Sequence, residues 1–524
     1  MTRRARPAAP GPLTFVPLVF LILAGSCGDN QAPAGDTDVK ATNNPLVALY
    51  TVQPKSPGKV SVEFGPTTAY GFTTGEQHTP DDGSPLSVYV AGMRANTTYH
   101  MRALVKLDNG QTSMDADHTF TTTSFPSGIL PGASVSGSGQ PQGGIELVDA
   151  TLSNVSGYLE AYATDLQGNL IWGYDYPDRD ANSIIQPIKM LPNGHLGMII
   201  SYASQFIFTP DKQSKVNTLR EIDLAGNTVR ELKLSDLNQR LKEAGYTFTL
   251  VDYHHDFAYL PNGHWLVLAN LVKPYTDLPG YPGTTQVIGD AVIDLDPDWK
   301  PVWVWNEFDH LDVNRHPMEF PDWTHTNAVV YVPRDGNLLI SMRHQNWIVK
   351  VDYRNGEGDG SILWRLGQGG DFQLLNGTDP TDWFYAQHGP DLRSSGNAGT
   401  FLMSVMDNGN DRMFPSGEQC GSPGEPSCTY TTVPVYEIDE KALTATLKMR
   451  QSMPSDQYSF FGGLTTWMEN GDLEYDLCAE PGYTAILREV TYQSQPQTVW
   501  QMTVTKSNVY RANRIPSLYP GVQW

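Results

Sequence analysis

The stretch Asp322-Trp-Thr-His325-Thr-Asn327-Ala-Val-Val-Tyr-Val-Pro333-Arg-Asp-Gly336-Asn-Leu-Leu-Ile-Ser-Met-Arg343-His-Gln-Asn-Trp347-Ile-Val-Lys-Val-Asp352 reads as three strands. His325 to Val332 and Asn337 to Arg343 are β-rich, and Trp347 to Asp352 is the third. Pro333 to Gly336 is turn chemistry, with Pro fixing φ and Gly accepting φ above zero. In a hairpin the two ends far from the turn lie side by side, roughly 5 Å apart. An imidazole, His325, and a permanently charged guanidinium, Arg343, are therefore presented together. Asn327, two residues on from His325, shares its face. A two-residue turn at Arg334-Asp335 would put Arg343 on the face opposite His325. A shared pocket thus requires a three- or five-residue loop, or a bulge between the strands.

The same turn recurs as Leu191-Pro-Asn-Gly194, Leu260-Pro-Asn-Gly263 and Glu469-Asn-Gly471, each followed by an apolar strand. A second recurring unit is a strand, a polar turn and a strand often carrying Trp, as in Ile293-Asp-Leu-Asp-Pro-Asp-Trp-Lys-Pro-Val-Trp-Val-Trp305 and Val351-Asp to Ile362-Leu-Trp364. Four short strands per unit of roughly 40–65 residues is the pattern of propeller blades. Units starting near 143, 183, 252, 324, 386 and 461 predict an all-β chain built on a six-bladed β-propeller over residues 143–524.

Upstream, alternating strands at Val60–Phe64, Leu86–Val90, Thr98–Val105 and Ala116–Thr122 predict a β-sandwich over residues 44–123. It carries no acid/base cluster and reads as a spacer or a module for homodimerisation. The Gly-, Ser- and Pro-rich segment 124–142 reads as a linker. Residues 1–27 read as an export signal: Arg3, Arg4 and Arg6 precede an apolar run from Leu13 to Ala24. Small residues lead into Cys27, the pattern of a lipidation site, with 28–43 as a tether. A periplasmic or membrane-anchored location follows, the membrane being met only through the lipid. Of the other cysteines, Cys420 and Cys428 flank a short Gly/Ser/Pro loop and suit a disulfide in an oxidising compartment, and Cys478 reads as a buried thiol. The formal net charge of −22 argues against nucleic acid as a partner.

The chain has 12 His, and several open successive units: His254-His255-Asp256, His325, and Gln387-His388-Gly389. His255 and His325 lie an even number of residues before Pro261 and Pro333, so both leave the same face of equivalent strands. His254 falls on the other face, supporting His255 or packing between blades. Three imidazoles converging with a guanidinium suit an anionic, transferable group: Arg grips an oxyanion through two N–H donors, and His attacks or moves protons near neutral pH. A three-His metal site is the rival, opposed by the charge of Arg343. No CxxC or HExxH spacing supports zinc.

At these residues the chain resembles the bacterial arylsulfate sulfotransferase family. The matching pieces are His255-Asp256 before a Pro-Asn-Gly turn, His325-Thr-Asn327, Arg343 in Ser-Met-Arg, Ile362-Leu-Trp-Arg-Leu-Gly367 and Gln387-His388. The resemblance implies a six-bladed propeller with an N-terminal, fibronectin III-like sandwich. It also implies transfer of a sulfuryl group from a phenolic sulfate ester to a phenol, without a nucleotide donor or other cofactor. His388 would be the nucleophile that becomes a sulfohistidine. His255, His325, Asn327 and Arg343 would hold the sulfuryl oxygens, and Thr465 or Thr466 would supply a threonine from the last blade. The Cys420–Cys428 loop departs from the family's disulfide position. Two further readings stand beside this one. A binding propeller would release no phenol from an aryl sulfate, and a quinone-dependent dehydrogenase lacks its calcium and quinone constellation here.

Overall fold

The computed structural model describes residues 35–202, 209, 211, 212, 214–396, 399–420 and 429–524. The expected export signal, with Cys27, and the disulfide partner Cys428 lie outside the described residues.

The recurring turns close hairpins as their chemistry dictates. Gly194 and Gly263 adopt φ of +84° and +85° and donate to the carbonyls of Leu191 and Leu260 at 3.0 and 2.9 Å. Each such turn joins the first strand of a sheet to the second. Among the described residues six sheets result, with first strands Ile145–Ser153, Ser183–Met190, Leu250–Tyr259, Thr326–Val332, His388–Ser394 and Thr465–Trp467, antiparallel except where Gln373–Leu375 adds in parallel to Thr444–Ser452 at the edge of the fifth. The first sheet gains its fourth strand from the far end of the chain, Ser507–Ile515, which pairs with Ile145–Ser153.

Between consecutive sheets the apolar faces pack. Trp172 meets Ile185 and Leu196, Leu219 meets Phe257 and Trp265, and Leu266 meets Leu338 and Val349. Further round, Leu339 and Trp364 meet Met403 and Tyr436, and Val433 meets Leu473. Leu487 and Trp500 of the sixth sheet then pack on Val148 and Tyr162 of the first. The arrangement is propeller-like. It brings the starts of the first strands together at one end, which is where the chemistry-bearing residues were expected. An α-helix, Leu234–Glu243, buries Leu234, Leu237 and Leu241 outside the third sheet.

Residues 36–121 form two further sheets around a shared core of Tyr50, Val60, Val62, Phe64, Val88, Tyr99 and Met101. The C-terminal Trp524 docks there, its Nε1–H donating to Thr73 O at 3.1 Å. The stretch read as a linker is in part a strand: Gly132–Ser136 adds to the outer edge of the sixth sheet, beside Thr498–Thr505. Its small residues and Val135 satisfy an edge that would otherwise be open.

In the fourth sheet Val332 pairs with Asn337, leaving a four-residue loop in place of three or five. The alternative expectation, a bulge, is what occurs. Ala328 faces Ser341, but Thr326 faces Met342. That one-residue slip carries Arg343 back to His325, whose carbonyl accepts the Arg343 amide proton at 3.2 Å. Among the described residues no helix is long and apolar enough to cross a membrane.

Candidate functional site

The bulge recurs. The first strands of the third, fourth and fifth sheets each lose regular register where their histidines sit. His255 and His325 carry φ of +51° and +48°, and Gly389, after His388, +45°. These left-handed residues cost energy in a side chain with a Cβ, and such strain gathers where function over-determines geometry. The irregularity also invalidates counting by twos. His254, expected on the face opposite His255, lies against it, the ring centroids 3.8 Å apart, because the extra residue breaks the period.

Three imidazoles converge with Arg343 and a fourth imidazole. His255 Nε2 lies 3.0 Å from His325 Nε2, and His325 Nδ1 lies 2.5 Å from Asp322 Oδ2. His325 Nδ1–H donates to that carboxylate, so in the neutral pair His255 Nε2–H donates to His325 Nε2. His344, unnoticed in the sequence although it follows Arg343, stacks on His325 at 4.7 Å. Its Nδ1–H donates to Asp322 O at 2.7 Å, and its Nε2 accepts from Arg343 Nη1 at 2.5 Å. Arg343 Nη2 donates to Phe460 O at 3.1 Å.

His388 is the deepest, at 1 % exposure. Its Nδ1 is 2.7 Å from Asn408 Oδ1. The amide nitrogen of Asn408 donates to Ser459 O and Gly462 O at 2.8 and 3.1 Å, which fixes the amide's orientation. The Asn408 oxygen therefore accepts from His388 Nδ1–H, and His388 Nε2 is left with a lone pair, met only by the Gly462 amide at 3.3 Å. Tyr510 spans the cluster, stacked on His255 at 5.1 Å and edge-on to His388 at 6.0 Å. Asn408, His344 and Tyr510 belong to no sequence pattern, and no spacing signal pointed to them.

Burial holds His255, His325 and His388 well below the usual imidazole range, with repulsion from His254 next for the first two and from Arg343 for His388. Burial likewise pushes His344 down to about 3. His255, His325, His344 and His388 are thereby held neutral beside the Arg343 cation.

Asn327 does not open onto free space through its nitrogen: Nδ2 donates to Gln387 O at 2.7 Å, bracing the residue before His388, while its Oδ1 is buried without a partner. Thr465 is buried, donating to Gly389 O at 2.9 Å. Thr465 and Thr466 line a cavity of about 560 Å³ bordered by Asp256, Ala328 and Gly389, which follow the imidazoles in their strands, and by Arg511 after Tyr510. Both threonines are thus grouped with that cavity. Arg511 Nη1 and Lys189 Nζ both donate to Asp256 Oδ1, at 2.8 and 2.7 Å, and although burial works to raise it, these cations hold Asp256 below the usual carboxylate range. A larger cavity of about 1130 Å³, lined by Arg220 and Arg230, is remote from the imidazoles, and its arginines are paired with Asp178, Glu231 and Glu221. Cys420 is buried and disulfide-bonded. Cys478 is a buried thiol. Among the described residues, two groups of side chains place metal-capable atoms within 4.8 Å of one another: His254, His255 and His325, and Asp322, His325 and His344.

Residues 143–511 match the model of a family described as Arylsulfotransferase (ASST). No curated protein matches the chain. Among solved structures it is similar to an auxiliary nutrient binding protein from Bacteroides thetaiotaomicron, at 9 % identity, covering 90 % of this chain and 99 % of that one with a TM-score of 0.32. It is similar also to a putative 6-phosphogluconolactonase from Bacteroides fragilis, at 8 % identity, 87 % and 98 % coverage and a TM-score of 0.30. Likenesses this slight assign neither fold nor activity.

Proposed function

The chain belongs to the arylsulfotransferase family, and from that membership we propose that it moves a sulfuryl group from a phenolic sulfate ester to a phenol in two steps through a sulfohistidine at His388. The observation that carries this reading is the tautomer of His388. Asn408 holds the proton on Nδ1, so Nε2 offers its lone pair without prior deprotonation.

In the first step the Nε2 lone pair attacks sulfur. The N–S bond forms as the S–O bond to the phenol breaks, and that electron pair leaves on the phenolate oxygen. Arg343, aimed by His344 and Phe460 O, faces the sulfuryl oxygens, where negative charge concentrates. The anionic ester draws a proton onto the His255–His325 pair, and the leaving phenolate takes it. In the second step the acceptor phenol returns a proton to the pair as its oxygen attacks sulfur, and the N–S bond breaks to restore the His388 lone pair. Asp322 stabilises the pair while it is charged. Asn327 steadies the peptide before His388.

Around this site the proposal sets a closed six-bladed propeller over 143–524 and a fibronectin III-like sandwich over 44–123. It adds export with lipidation at Cys27, a disulfide from Cys420 to Cys428, and independence of a nucleotide donor. Cys27→Ser releasing the protein from the membrane fraction checks the anchor.

The deciding experiment mixes the protein with an aryl sulfate alone, quenches it in base, and maps the sulfuryl adduct by mass. The adduct is expected on the peptide containing His388 and absent from His388→Asn. Phenol release by a folded His388→Asn protein, or kinetics that require donor and acceptor bound together, would overturn the covalent reading. No phenol release by wild type with any acceptor would return the chain to a binding role.

A further inference from the structure

One imidazole of the cluster has no part in the transfer just described. His254 is 3 % exposed, its Nδ1 2.7 Å from Asp290 Oδ1. Asp290 is already ringed by donors: Asn270 Nδ2 at 2.7 Å, Thr326 N–H at 2.8 Å and Thr324 Oγ1 at 3.1 Å. Its carboxylate accepts throughout, so His254 carries its proton on Nδ1. Nε2 is left as a bare lone pair, buried and without a partner. His325 is built alike, with Nδ1 on the Asp322 carboxylate and Nε2 turned inward. An imidazole backed by a carboxylate, its other nitrogen open, is oriented and strengthened as a metal donor. Here two stand side by side with His255 between them.

We propose that His254, His255 and His325 bind a divalent transition-metal ion of the zinc class, one ring nitrogen from each. Their donor atoms lie within 4.8 Å of one another. His255 Nε2 and His325 Nε2 are 3.0 Å apart. Zinc–nitrogen bonds of about 2.0–2.1 Å in a tetrahedron ask for about 3.3 Å, so the two rings part by only about 0.3 Å. The His255 proton moves from Nε2 to Nδ1, an atom now buried without a partner, so no proton is lost. An all-imidazole donor set selects zinc, copper, nickel or cobalt over magnesium or calcium. The ion's charge is met by Asp290 and Asp322. They oppose the repulsion of Arg343, whose guanidinium is held by His344 Nε2 and Phe460 O and is not itself a donor to the ion. Because the ion occupies the same nitrogens of His255 and His325 that transfer protons, metal and sulfuryl transfer exclude each other. That consequence rests on the proposed transfer; the binding does not.

The test titrates the metal-stripped, full-length protein with Zn²⁺ against a chromophoric chelator, and with Co²⁺, read by its visible absorption. One equivalent is expected to bind, with the intense bands of a tetrahedral Co²⁺ site. His254→Gln, which keeps a hydrogen bond to Asp290, should weaken Zn²⁺ at least about 100-fold, while His388→Asn should bind as wild type does. Phenol release by wild type should stop with Zn²⁺ and return with chelator. His254→Gln, at whatever basal rate it shows, should lose that sensitivity. X-ray absorption on Zn²⁺-loaded wild type should count three imidazole donors, which decides the matter even if the variant does not fold. Absence of a stoichiometric site, a donor count other than three imidazoles, or equal affinity in His254→Gln would overturn the proposal. Metal binding without any transferase activity would sink the transfer reading and leave the metal site standing; transfer by a protein that binds no stoichiometric Zn²⁺ would do the reverse.

Discussion

Arg343 Nη1 donates to Nε2 of His344, its neighbour in the chain, at 2.5 Å. The ring accepts because its Nδ1–H is committed to Asp322 O. Burial pushes His344 down to about 3, so it stays neutral and remains an acceptor at any working pH. A flexible cation is thereby aimed by a rigid ring that also stacks on His325.

His344→Phe should keep the stack and lose the acceptor. The expected result is a rise of about tenfold in KM for the aryl sulfate with a smaller change in kcat, because the guanidinium then wanders. Arg343→Lys should fare worse, since an ammonium cannot reproduce a two-pronged grip on a sulfuryl group. Steady-state kinetics on both variants checks this; a larger loss in His344→Phe than in Arg343→Lys would count against the aiming role.

Asn408 should matter as much as the nucleophile it orients. Asn408→Ala frees His388 to carry its proton on either nitrogen and should cost about 10²- to 10⁴-fold in transfer. It also strips the donor from two buried carbonyls, Ser459 and Gly462, at a cost of about 1–3 kcal/mol in stability. Asn408→Asp still accepts from Nδ1–H and should keep more transfer than the alanine variant while sharing its stability loss. Equal rates in the two variants would remove the tautomer argument.

The strands were legible in the sequence because turn chemistry repeats. Pro-Asn-Gly, Asp-Gly and Asn-Gly turns close the first strands of four of the sheets, and the six first strands begin within a few residues of the expected unit starts near 143, 183, 252, 324, 386 and 461. His255, His325, Arg343 and His388 stood out because each opens or closes a strand at an equivalent point. Counting by twos then misplaced His254, since left-handed residues at His255 and His325 insert a bulge that no local composition announces. Asn408 lies in a segment whose neighbours in space, Ser459 and Gly462, are about fifty residues away, so its role depends on packing between sheets. Gly132–Ser136 resembles a linker because an edge strand needs no apolar face.

Trp524 ties the chain's end to the N-terminal sheets. Its ring lies 5.9 Å from Phe64, 5.5 Å from Phe72 and 5.7 Å from Tyr519. Trp524→Ala should destabilise those sheets by about 2–3 kcal/mol, seen as faster amide exchange in Gly58–Gly65 and Thr98–Leu107. Transfer should be unchanged, because no residue of the imidazole cluster touches this contact. Gly92→Ala should mimic the effect: a Cβ there would sit 2.3 Å from the Trp524 ring.

The pH dependence of kcat/KM separates proton transfer from nucleophilic attack. The His255–His325 pair is faced by His254, His344, His388, Tyr510, Arg343 and Arg511, with Asp290 and Asp322 opposing. Burial first, then the neighbouring imidazoles and cations, depress both members. The free enzyme therefore holds the pair neutral at pH 7, while a poor leaving phenolate needs it charged. For such donors kcat/KM should fall about tenfold per pH unit as pH rises above the pair's depressed pKa, because the protonated form becomes that much scarcer. An activated nitrophenyl sulfate leaves without a proton and should show no such fall. Its rate requires only that His388 be neutral, and burial lowers that pKa too, so the acid limb for the nitrophenyl donor lies well below pH 6.5. Parallel profiles for a poor and an activated donor would show that the imidazole pair does not deliver the proton, even with His388 confirmed as the nucleophile.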